Sequence, residues 1–93
     1  MYIALAYFKT KKHGSDLNKM KEYVDRQNDT TFGNKYCLIE LSENDWCTYN
    51  STKGLFGCHP DIIYDPYNVA TSLIKSLTSI NTFTRVFGGK GKD

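Results

Sequence analysis

No long apolar run occurs in this chain: the longest is residues 2–8, Tyr-Ile-Ala-Leu-Ala-Tyr-Phe, and its lysines follow rather than precede it. A membrane span needs about 20 apolar residues, and a signal peptide carries its basic residues ahead of the apolar stretch, so neither is expected. The expected location is the cytosol. Cysteine is scarce, odd in number and widely spaced at Cys37, Cys47 and Cys58, which favours reduced thiols over a disulfide framework. An excess of one charge is also missing. The net charge of +2 rules out the acidic surface of a DNA mimic, and it is too small to draw nucleic acid by bulk electrostatics. Absent as well are a Walker pattern, a dinucleotide fingerprint, a Cys-x-x-Cys pair, internal repeats and low-complexity tracts. Those absences remove the usual nucleotide cradles and zinc knuckles, so no metal and no cofactor is expected.

What is present describes a packed globule. Forty per cent of the 93 residues are apolar, with seven tyrosines, five phenylalanines and one tryptophan, enough for one core but not two. Residues 1–88 are read as one domain and residues 89–93 as a flexible tail. The clearest element is a helix starting at Asp65 and Pro66, a cap followed by a residue that loses nothing at the first helical position. Its apolar stripe is Val69, Ala70, Leu73, Ile74, Leu77 and Ile80, at steps of one, three and four. Residues 83–87 then alternate as a strand, before Gly88 and Gly89.

Upstream, residues 2–8 suit a central strand, and residues 9–14, Lys-Thr-Lys-Lys-His-Gly, a basic loop. Ser15 is a cap and Asp16 a favourable first-turn acid for a helix whose stripe is Leu17, Met20, Tyr23 and Val24. Residues 35–41 alternate as a strand, and residues 45–50 resume the alternation after a Ser-Glu-Asn turn, which predicts a hairpin. Residues 51–60 read as a loop and residues 62–64 as a short strand. The order predicts an α+β, ferredoxin-like split βαβ sandwich, with an antiparallel-rich sheet and two helices on one face. The other face would then be apolar and open, which points to a homodimer or a protein partner.

Several groups of residues bear on chemistry. In the split βαβ order both helix N-termini open at one end of the sheet, where Lys9, Lys11, Lys12, His13, Lys53 and His59 would make an anion or nucleic-acid site. Against that, the lysines are accounted for by a solvated loop. His13 and His59 with a lysine would serve for acid and base work on a phosphodiester. Asp61 and Asp65 would make a carboxylate pair for magnesium, although Asp65 is already explained as a cap. Tyr36, Trp46, Tyr49 and Phe56 are candidate partner-binding aromatics, with base stacking as their alternative use.

Residues 1–8, taken with the strand and helix order, resemble the opening of the small VapD-type endoribonucleases. The resemblance implies a ferredoxin-like fold and RNA cleavage through an Asp at the end of the first strand. Tyr7, Phe8 and Lys9 stand at that place, so it implies a relative without catalysis. The reading of the whole is a non-enzymatic protein working by protein–protein contact, of the kind phages and mobile elements use as inhibitors of host systems. RNA binding at the basic end is the alternative.

Overall fold

The computed structural model describes residues 1–78. The elements are β1 (Tyr2–Ala6), β2 (Lys9–Gly14), α1 (Leu17–Thr30), β3 (Cys37–Glu40), α2 (Glu43–Thr52), β4 (Asp61–Tyr64) and α3 (Ala70–Thr78). The four strands form one sheet in the order β2-β1-β3-β4, and every neighbouring pair is antiparallel. The α+β class and the antiparallel sheet follow the sequence reading; the split βαβ order does not. Two strands precede the first helix, and the strand after α1 lies directly beside β1 and antiparallel to it. The predicted strand at 83–87, Ile80 and the tail at 89–93 lie outside the described residues.

Two elements differ from expectation. The basic stretch 9–14 is not a loop but strand β2, at the edge of the sheet among the described residues, folded back on β1 through a two-residue turn at Tyr7 and Phe8, with Ala6 opposite Lys9. The stretch 45–50 is not a strand but part of α2. Ser42 caps that helix by accepting from the Asp45 N–H at 3.2 Å, and Glu43 and Asp45 supply first-turn acids. Lys53 closes it in the left-handed region at φ 60°.

The caps of the other helices shift by small steps. Asp16, not Ser15, caps α1 by accepting from the Lys19 N–H. Gly14 leads into that turn against Met20, whose Sδ would lie 3.0 Å from an added Cβ. Asp65 does act as the cap of α3, accepting from the N–H groups of Val69 and Ala70 at 2.9 and 3.0 Å. The helix nevertheless begins at Ala70 rather than Pro66, because Asn68 at φ 61° interrupts the chain before it.

Both faces of the sheet are covered, by α1 on one side and by α2 and α3 on the other, so the helices do not share one face and the open apolar face is not present. Ala4 and Leu38 pack under Met20 and Val24 of α1, with Leu17, Tyr23, Tyr36 and Tyr64 around them. Ile3, Leu5, Cys37 and Ile39, on the opposite face, pack under Ala70 and Leu73 of α3, with Trp46 and Tyr49 of α2 alongside. The alternation of β1 and β3 therefore feeds two cores, one per face.

Asn28, the buried polar residue of α1, joins α1 to the start of β3. Its amide nitrogen donates to the Tyr36 carbonyl at 3.1 Å and its amide oxygen accepts from the Tyr36 N–H at 2.6 Å. A side-chain amide thereby satisfies both backbone groups of Tyr36.

Candidate binding end of the sheet

Strand directions decide which predicted site residues meet. β2 runs against β1 and delivers α1 beside Tyr2, the partner of Gly14. β4, antiparallel to β3 and hence parallel to β1, delivers α3 at the opposite end. The N-termini of α1 and α3 therefore open at opposite ends, and the shared anion-binding end expected from the split βαβ order is not built. The basic residues run the length of an edge instead: Lys9 pairs with Ala6 at one end of β1 and His13 with Ile3 near the other. A bulge between Ala4 and Leu5 sets Lys11 out of register, and Lys12 reaches over the Tyr23 ring at 4.8 Å.

The two histidines both adjoin the first turn of α2. The His13 ring lies 5.1 Å from Trp46, and the His59 N–H donates to the Asp45 carboxylate at 2.8 Å. Lys53 sits past the other end of this helix, about 11–12 Å along the axis from Asp45 and Trp46 at 1.5 Å per residue. Lys53 therefore does not join the two histidines as the lysine of an acid–base trio. Asp61 and Asp65 bracket β4, about 13 Å apart along an extended chain, and both Asp65 carboxylate oxygens already cap α3. That pair does not converge on a cation. No group of three His, Cys, Asp or Glu side chains that would suit a metal occurs among the described residues.

The predicted partner-binding aromatics do not share one surface. Tyr36 lies half-buried on the α1 face with its ring edge-on to Tyr23 at 5.9 Å. Trp46 and Tyr49 are half-buried on the other face, stacked at 5.4 Å. The Tyr49 hydroxyl shares a 2.9 Å hydrogen bond with that of Thr10, so these two rings fasten α2 to the edge strand. Only Phe56, in the loop after α2, is exposed.

The exposed aromatics that sequence reasoning missed gather at one end of the sheet. Tyr7 and Phe8, 56% and 53% exposed, form the tip between β1 and β2. The loop from α1 to β3 brings the fully exposed Phe32 to that same end, and the turn before α3 brings Tyr67, whose ring carries the Lys35 ammonium at 4.8 Å. The tip is unusual in its backbone. Tyr7 has φ 53° and Phe8 φ 59°, the pattern of a type I′ hairpin turn, which Asn and Gly ordinarily occupy. A bulky residue in that region is costly, by about 1–2 kcal/mol. The one sequence signal was an apolar run ending in Tyr-Phe immediately before four polar residues.

The thiols have distinct environments. Burial, and then the Asp65 carboxylate, push the Cys37 thiol up to about 12. Burial, and then Asp45, also raise Cys58, whose thiol donates to the Asp45 carbonyl, whereas Cys47 is exposed. A neutral buried thiol is a poor nucleophile, so iodoacetamide should label Cys47 in the native protein and all three cysteines in urea. Because folding raises the Cys37 value, its contribution to stability is complete below about 9 and is lost as pH rises towards about 12. The urea midpoint should fall across that window, and fall less steeply in Cys37→Ala; identical slopes would contradict the burial argument.

No family model, curated protein or solved structure matches the chain. Among the described residues, no helix is long and apolar enough to cross a membrane.

Proposed function

We propose that this is a non-enzymatic protein that acts by contact with another protein, through the end of the sheet that carries Tyr7, Phe8, Phe32 and Tyr67. The observation that carries this reading is the hairpin tip. Two adjacent aromatic side chains stand more than half exposed on backbone that disfavours them. Strain of this kind persists where the side chains are needed, and rigid exposed aromatics are the usual anchors of protein interfaces. The placement of Lys53 beyond the far end of α2 and the separation of Asp61 from Asp65 by β4 weaken two of the catalytic and cation readings that would compete with it. A cytosolic setting accords with the free thiols Cys37, Cys47 and Cys58. Inhibition of a host system would be one use of such a tip.

A photo-crosslinking phenylalanine analogue at position 8 tests this in cells that carry the protein naturally, with position 48 on exposed α2 surface as control. One discrete protein adduct is expected from position 8 and none from position 48. Equal adducts from both positions, or none from position 8, would reject the tip as the contact.

RNA binding is the second reading, and the exposed Lys9, Lys11 and Lys12 on one edge favour it. Neutralising them would then lower the salt slope of RNA binding by about one unit or slightly less for each phosphate no longer neutralised. The faces of the sheet, where RNA-binding sheets stack bases, are occupied by helices.

A further inference from the structure

Charge along the hairpin says what kind of protein surface the tip fits. Residues 1–15 contain no Asp or Glu, while Lys9, Lys11 and Lys12 all lie in them. All three lysines are exposed on β2, which begins directly after the Tyr7–Phe8 turn. The hairpin is thus an apolar point on a wholly cationic stem. The rings of Tyr7 and Phe8 are 6.2 Å apart and inclined at 52°, so they make a knob with two differently directed faces rather than a flat platform on which successive bases would stack. A second copy of the chain is a poor occupant, because antiparallel pairing of β2 with β2 would set lysines against lysines.

We infer that the partner is a protein whose contact surface is an apolar pocket rimmed by carboxylates: the pocket takes Tyr7 and Phe8, and the rim faces Lys9, Lys11 and Lys12. This rests on the proposed contact function and adds the chemistry of the partner. Shape supplies the anchor, and charge supplies orientation and encounter rate.

A random-peptide library displayed on phage, selected against the immobilised full chain, tests it, with an oligouridylate as the nucleic-acid probe. Recovered peptides should place Asp or Glu beside an apolar residue and shift the amide resonances of residues 7–12. Their affinity should fall at least tenfold in the triple variant Lys9→Gln, Lys11→Gln, Lys12→Gln, and should also fall in Tyr7→Asn/Phe8→Gly. Peptides that bind the tip but lack acidic residues, or that bind the triple variant equally well, would overturn the acidic-rim inference and leave the contact function standing. Peptides that bind elsewhere, or no enrichment at all, would overturn both. Tighter binding of the oligouridylate than of any recovered peptide, abolished in the triple variant, would replace the acidic protein with RNA.

Discussion

Leu73→Ala is expected to remove about 2–5 kcal/mol of stability, the usual range for emptying a buried leucine site. Leu73 is 5% exposed and belongs to the core beneath α3, with Ile3, Leu5, Cys37 and Ile39. A chain of this length has a total stability of roughly 5–14 kcal/mol, so the loss would be a large fraction of the whole. At about 4–8 °C per kcal/mol, the melting temperature should drop by roughly 10 °C or more. Leu77, half-buried on the same stripe, should give a smaller effect on the same substitution. Urea melts measure both; a loss below about half a kcal/mol for Leu73→Ala, the scale of an ordinary surface change, would mean that α3 does not pack as described.

That stripe was legible because burial and helical period agree. Val69, Ala70, Leu73, Ile74 and Leu77 all turn to a core as their period requires, and so do Leu17, Met20, Tyr23 and Val24, although on the opposite face of the sheet rather than the same one. β3 was legible for the matching reason, a strict alternation with one face for Cys37 and Ile39 and the other for Leu38. The stretch 45–50 was ambiguous in principle. Trp46 and Tyr49 sit three residues apart, a spacing that opposes them in a strand but joins them on a helix, and four alternating residues cannot separate the two. The Ser42 and Asp45 capping pattern was the better guide.

β2 was hidden more thoroughly. An edge strand that faces solvent along most of its length needs no apolar residues, and Lys-Thr-Lys-Lys-His-Gly carries the lysines that discourage further pairing. Its turn offers none of the Asn-Gly chemistry by which hairpins are ordinarily read. Missing β2 reversed the inferred direction of α1 and put both helix N-termini at one end. It also left β1 two residues too long, which concealed the tip. The same departure from turn chemistry that hid the hairpin is what marks Tyr7 and Phe8 for function: local preference and global fold conflict there, and such conflicts concentrate at functional sites.

The double variant Tyr7→Asn/Phe8→Gly should therefore be more stable than the natural protein, against the usual sign of a substitution. Each aromatic residue held at positive φ costs about 1–2 kcal/mol, and Asn and Gly adopt the type I′ conformation readily. Part of the gain is offset at position 8, because glycine frees the unfolded chain by about 0.5–1 kcal/mol. Little packing is given up in exchange, since both side chains are more than half exposed. The net expectation is a gain of about 1–3 kcal/mol, a rise of several degrees in melting temperature, and disappearance of the photo-crosslinked adduct when the probe is moved to the neighbouring position 9. Stability and binding thus move in opposite directions, which a purely structural turn would not show. A double variant that melts lower than the natural protein would mean that Tyr7 and Phe8 stabilise the hairpin, and the strain that singles out the tip would not exist.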